Sequence, residues 1–215
     1  MQKITPHLWY DKEAFEAASL YVSLFDDARI IRRTVLPDTP SGDAEVVSFE
    51  LAGQRLDAIS AGPYFKFTPA LSFTVLCESD EEMDRLWDGL IEGGQEMMPL
   101  QAYPFSERYG WLTDRYGLNW QLMKATREVE QKINVNYLFS SEANGRALEA
   151  AEYYTKLFPN SQVYHANPYG EGEAQVTAAK HNFVGFVLDG QSFSAMDNGY
   201  DADCTFTEAF SLMVR

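Results

Sequence analysis

The sequence predicts an α+β protein assembled from βαβββ modules, each a strand, a helix and three further strands. Three observations carry that prediction. Residues 3 to 60 read in that order, the order restarts after Gly62-Pro63, and from Lys132 the first module is written again. A repeat period of more than a hundred residues, kept through strand, helix and hairpin, signals a duplicated domain.

In the opening stretch, Ile4 to Tyr10 is apolar and aromatic and predicts a strand. Ala14, Ala17, Ala18, Tyr21 and Phe25 then recur at three- and four-residue spacing, which lays one apolar stripe along a helix. Strands are expected at Ala28 to Leu36, Glu45 to Leu51 and Arg55 to Ser60. Ala52-Gly53-Gln54 is short enough to close the last two as a hairpin.

The second module opens with a strand from Ala70 to Cys77, followed by "SDEEMDRLWDGLIEGG". Ser79 and Glu82 have capping-box spacing, Met83, Leu86, Trp87 and Leu90 supply the buried face, and Gly93-Gly94 ends the helix. Three strands follow near Glu96 to Ala102, Tyr109 to Thr113 and Asn119 to Met123. The acidic, helix-compatible piece Lys124 to Lys132 reads as a linker.

Beyond it, Glu149, Ala150, Ala151, Tyr154, Leu157 and Phe158 stand where Glu16, Ala17, Ala18, Tyr21, Leu24 and Phe25 stood. "FVLDGQSFSAMDNG" from Phe186 repeats "FELAGQRLDAISAG" from Phe49, and "FTEAFSLMV" from Phe206 repeats "FTPALSFTV" from Phe67. The expected organisation is a complete domain over 1–125, a linker at 126–131 and a partial second domain over 132–215. The second copy holds one module and one strand, so a truncated chain or a second protomer is expected to account for the missing face.

The net charge of −15, spread along the chain, argues against nucleic acid and anionic membranes as partners. No apolar run is long enough for a membrane span, and the first residues lack a signal-peptide pattern; the expected location is cytoplasmic. Cys77 and Cys204 lie far apart in apolar runs and are expected as buried, reduced thiols. No nucleophile–base pair or carboxylate pair can be assembled, so no catalytic residue is assigned.

"ITPHLWYD", "AASLYVSLF", "ELAGQRLDAISAGPYFKFTPALSFTV" and "YGWLTDRYGLNWQLM" resemble the PhnB-like branch of the vicinal oxygen chelate superfamily, which includes glyoxalase I, extradiol dioxygenases and bleomycin-binding proteins. The resemblance covers 3–123 throughout and 132–214 in part. It implies paired βαβββ modules forming a curved mixed sheet around a cleft, with the helices outside. It also brings the label 3-demethylubiquinone methyltransferase, for which the residues give little support: a methyl-donor site wants a Gly-rich strand-to-helix turn, and "YGEGEA" at Tyr169 lies between two strands.

By motif position the resemblance places cleft residues at His7, Asp57, Ser72 and Gln121, with Trp9 sharing the parity of His7 and Trp120 assigned to the core. Metal-dependent relatives hold one divalent ion, zinc, nickel, manganese or iron, at those four places; here His7, Asp57 and Gln121 are the candidates. Ser72 is a poor ligand and Gln121 a weak one. The balance of residues disfavours a metal, because an open site needs about three good protein ligands. The competing reading of His7 is a hydrogen-bonded histidine in a polar cleft wall. For Asp57 it is a carboxylate paired with a cation, Arg55 being expected to lie too close in sequence to serve. The matching places of the second copy, Asn136, Ser194 and Ser211, offer no strong ligand. His165 and His181 are expected in solvent.

The function expected is a small-molecule-binding protein of the glyoxalase and bleomycin-resistance type, non-catalytic or weakly catalytic, with a small organic ligand and a homodimeric state. The alternative is a divalent-metal-dependent lyase, isomerase or dioxygenase acting on vicinal oxygens.

Overall fold

The computed structural model describes residues 2–40, 42–200 and 204–215. Its strands are β1 (Ile4–Tyr10), β2 (Arg29–Thr39), β3 (Gly42–Leu51), β4 (Gln54–Ser60), β5 (Leu71–Cys77), β6 (Gln95–Tyr103), β7 (Ser106–Thr113), β8 (Asn119–Lys124), β9 (Ile133–Phe139), β10 (Gln162–Pro168), β11 (His181–Leu188), β12 (Gln191–Asp197) and β13 (Phe210–Val214). Its helices are α1 (Ala14–Leu24), α2 (Asp80–Ile91) and α3 (Ala147–Thr155). The order is that of βαβββ modules, as expected. The piece after β8 carries no helix, although its composition allowed one.

Hydrogen bonding orders the strands into two sheets, β13-β1-β4-β3-β2 and β10-β11-β12-β9-β5-β8-β7-β6. In the first and third modules the first strand runs parallel to the fourth: His7 pairs with Asp57 across β1 and β4, and Asn136 with Ser194 across β9 and β12. The outer neighbour of β1 is β13, antiparallel, with His7 opposite Ser211. A strand written in the second copy therefore lies beside the first strand of the first copy.

The chain forms two compact units. One comprises Met1–Phe67, Val75–Ile133 and Thr207–Arg215; the other comprises Thr68–Thr74 and Asn134–Phe206. They interleave along the chain instead of dividing once at residues 126–131. The physical reason is the pairing of β13, which carries the end of the chain into the first unit.

In the first unit α1 buries Ala14, Ala17, Ala18 and Tyr21. Leu8, Tyr10, Phe49, Leu51, Leu56 and Ala58, alternate residues of β1, β3 and β4, are buried beneath it. Leu24 lies so close to Gly89 of α2 that a Cβ there would meet its Cδ2 at 2.3 Å, so a larger residue would require the Leu24 side chain to turn aside. α2 begins at Ser79, whose Oγ accepts from the Glu82 N–H at 3.1 Å, while Glu82 reaches back to the N–H of Glu78 at 2.9 Å, one residue earlier than the ideal box. Of its expected buried face, Met83, Leu86 and Leu90 are buried and Trp87 is half-buried.

The two copies close the same hairpin with the same turn. Ala52 and Gly53 have φ of 46° and 76°, and Asp189 and Gly190 have φ of 47° and 81°. Two successive positive φ values match the strand twist of a two-residue hairpin, which sets Leu51 opposite Gln54 and Leu188 opposite Gln191.

Candidate functional site

The register of that hairpin determines what surrounds Asp57. Counting back from Leu51 and Gln54 places Ser48 opposite Asp57, and β1 places His7 on its other side. Leu56 and Ala58 are buried toward α1, so the alternating strand turns Asp57 to the face opposite the helix, with Ser48 and His7 beside it.

Asp57 is 3% exposed and fully partnered. Its Oδ1 accepts from Ser48 Oγ and from Arg55, Nη2 at 3.1 Å and Nε at 3.3 Å. Its Oδ2 accepts from Arg215 Nη2 at 2.7 Å. Arg55 was expected to lie too close in sequence to share this face. The opposite holds, because a strand repeats every two residues and places Arg55 and Asp57 side by side. Ser48 and Arg55 were thus legible from hairpin register and strand period; Arg215 was not, since its place depends on β13 pairing with β1.

His7 is half-buried, with Ser211 Oγ 3.4 Å from its Nδ1. Burial lowers its pKa from the ordinary histidine value, and the Asp57 carboxylate partly opposes that shift. The ring is therefore neutral near pH 7. Trp9, on the same face of β1, is also half-buried. Its Nε1 donates to the carbonyl of Gly62 at 2.8 Å, and Phe65 meets its ring edge-on at 5.0 Å between centroids. Gly62 has φ of 92°, a conformation open to glycine, and so lets the "GPYFKF" segment turn back over β1.

The other two cleft candidates lie in the eight-stranded sheet, apart from the sheet of His7 and Asp57. Ser72 is fully buried in β5. Gln121 in β8 is 6% exposed, and its Oε1 accepts from Tyr109 OH at 2.9 Å. The pairing of β1 with β13 gives His7 the neighbour Ser211.

In the second unit the equivalent places are neutral. Ser194 Oγ donates to Asn136 Oδ1 at 2.8 Å, and the position opposite Ser194, where Ser48 stands in the first unit, is Gly185. Tyr164 covers Gly185 so closely that a Cβ would fall 2.5 Å from its ring.

As a set of metal ligands this arrangement fits poorly. Among the described residues no three His, Cys, Asp or Glu side chains gather. Both oxygens of Asp57 already accept from guanidinium groups, which a cation would have to displace.

Two aspartates went unremarked in the sequence, and each ties together segments of its own unit. Asp114, in the turn between β7 and β8, accepts at Oδ2 from Tyr21 OH at 2.6 Å and Trp120 Nε1 at 2.9 Å. Its Oδ1 accepts from the N–H groups of Tyr116 and Leu118. Burial pushes its pKa up, and these donors pull against that. Trp120 is fully buried here, in the core as expected. Asp197, fully buried at the end of β12, accepts at Oδ1 from the N–H groups of Gly145 and Ala147, and at Oδ2 from those of Lys180 and His181.

His181, expected in solvent, is mostly buried: its side chain is 17% exposed and its Nδ1 stands 3.8 Å from Asp197 without a hydrogen bond. His165 is exposed. Cys77 and Cys204 are free and buried, and burial pushes the Cys77 thiol up to about 12. No helix among the described residues is long and apolar enough to cross a membrane.

Comparison with known proteins gives these observations a context. A family model described as 3-demethylubiquinone-9 3-methyltransferase matches residues 2–123 and 131–215. A solved PhnB protein from Bacillus cereus is 39% identical over 58% of this chain and 100% of its own, with a TM-score of 0.54. Glyoxalase I from Zea mays is similar in fold, covering 93% of this chain and 69% of its own at a TM-score of 0.60, with 9% identity. No curated protein matches the chain.

Proposed function

The chain belongs to the family described as 3-demethylubiquinone-9 3-methyltransferase, and from that premise we propose that it is a non-catalytic or weakly catalytic small-molecule-binding protein of the glyoxalase and bleomycin-resistance type. The proposed site is the face of β1, β4 and β13 turned away from α1, formed by His7, Trp9 and Asp57 with Ser48 and Arg55. One observation carries the reading: the carboxylate at the heart of this face is held on both oxygens, by Ser48 and Arg55 on one and by Arg215 on the other. A metal would have to displace guanidinium donors from both oxygens of a carboxylate so held, and the carboxylate fixes polar groups beside the aromatic pair Trp9 and Phe65. A few fixed polar groups against aromatic walls are what small-molecule recognition requires.

The methyltransferase description finds no support in the Gly-rich segment. "YGEGEA" connects β10 to β11, two antiparallel strands, and not a strand to a helix N-terminus where a methyl donor's polar groups would be held.

One feature favours the metal-dependent lyase, isomerase or dioxygenase reading: His7 and Asp57 are direct cross-strand neighbours. Native mass spectrometry of protein purified without chelator separates the two. A chain free of divalent metal that retains a small organic adduct supports the binding reading. A stoichiometric metal lost together with turnover in His7→Ala would replace it by the enzyme. The same spectrum tests the homodimer.

A further inference from the structure

The charge on this face runs against that of the chain. The protein carries a net −15, yet the side chains of β2, β3, β4 and β13 turned away from α1 hold an excess of arginine. Arg29 pairs with Glu50 at 3.0 Å, and Glu50 stands opposite Arg55 in the ladder. Arg32 stands opposite Ser48. Arg55 and Arg215 share the single carboxylate of Asp57. Four guanidinium groups therefore face two carboxylates.

Neither Arg55 nor Arg215 is exhausted by Asp57. Their side chains are 36% and 38% exposed. A guanidinium carries five N–H donors; Arg55 directs only Nε and Nη2 at Asp57 and Ser48, and Arg215 directs Nη2. Both are held in place. Arg55 lies on β4, where its backbone N–H donates to Gln2 Oε1 at 2.8 Å, and the N–H of Arg215 donates to the carbonyl of Lys3 at 2.9 Å. Asp57 thus orients two planar donors whose remaining N–H groups can meet an oxyanion in the forked geometry that guanidinium favours. Trp9 and Phe65 lie on the same side of β1 and supply an apolar wall.

We propose that this face binds an anionic small molecule, an oxyanion carried on a flat apolar body, with Arg55 and Arg215 receiving the oxyanion and Trp9 the body. The proposal rests on the binding reading above and adds the ligand's charge. In the second unit the equivalent positions, Gly185, Ser194 and Asn136, are uncharged, so the preference belongs to the first unit.

Ligand-observed NMR titrations with benzoate, phenyl phosphate and benzamide test it. Benzoate or phenyl phosphate is expected to bind saturably and about tenfold more tightly than the neutral amide, the tighter anion identifying the oxyanion as carboxylate or phosphate. Arg55→Gln and Arg215→Gln should each remove most of that preference, weakening the anions far more than benzamide. Arg55→Lys keeps the charge and the partner of Asp57, and should retain part of it. Equal binding of anion and amide, or arginine variants without effect, overturns the proposal and leaves a neutral binding face standing. Absence of saturable binding by both anions overturns it as well. If Trp9→Ala also leaves every probe unaffected, the binding reading of this face falls with it.

Discussion

The two copies of the βαβββ text share backbone to the level of the turn, yet they place their carboxylates at different positions along equivalent strands. In the first unit the acid is in the middle of β4, as Asp57, and the strand end carries Ser60, whose Oγ accepts from the Ala14 N–H at the start of α1. In the second the middle of β12 carries Ser194, and the strand end carries Asp197, which accepts from the Ala147 N–H at the start of α3 and from three further backbone donors. The first unit keeps its charge on the open face; the second uses it to hold a helix N-terminus and the loop before β11. Duplication conserved the position that must satisfy the first helical N–H, and left the middle of the strand free to diverge in chemistry.

The sharpest way to break this comparison is to remove both caps. Asp197→Ala strips four backbone donors of their acceptor and should destabilise the second unit by about 3–4 kcal/mol, whereas Ser60→Ala removes one bond and should cost about 1 kcal/mol. Denaturant unfolding, with hydrogen exchange to localise the loss to α3 or α1, measures both. Equal losses would remove the distinction.

The helices themselves give a second contrast. Tyr21 and Tyr154 occupy matching places, but Tyr21 is fully buried against Asp114 and Trp120 while Tyr154 is 42% exposed. Tyr21→Phe should therefore cost about 1–2 kcal/mol, since it deprives a buried carboxylate of a donor, and Tyr154→Phe less than about 0.5 kcal/mol. Thermal unfolding of the pair checks it.

The smallest effect concerns pH. With its folded pKa lowered mainly by burial, His7 takes up its proton less readily in the native than in the unfolded chain. Between the lowered native value and the unfolded value of about 6.5, the unfolded state binds more protons. Stability should rise with pH across that window, and acidification through it should cost stability. A ring-proton NMR titration giving a His7 midpoint at or above about 6.5 would contradict the sign.

Much of the molecule was legible because its signals are local. Hydrophobic period gave the strand order and α1, the Ser79 box gave the start of α2, and Gly53 and Gly190 gave the hairpins whose registers place Ser48 beside Asp57. A local signal also misled: His181 reads as a surface residue although the strand end beside Asp197 buries it. Asp114 looked like any turn aspartate, because nothing in "TDRYGLNW" announces that Tyr21 will reach it from α1.

The sequence by itself determined the modules, their duplication, the alternation that turns His7, Trp9 and Asp57 to one face, and the family to which they belong. Tertiary structure alone decided which modules meet. Strand pairing is a nonlocal choice among edges of similar composition, and β1 takes β13 as its neighbour. That choice separates His7 and Asp57 from Ser72 and Gln121 by sheet, brings Ser211 to His7, and delivers Arg215 to Asp57 across a sequence separation no periodicity can span.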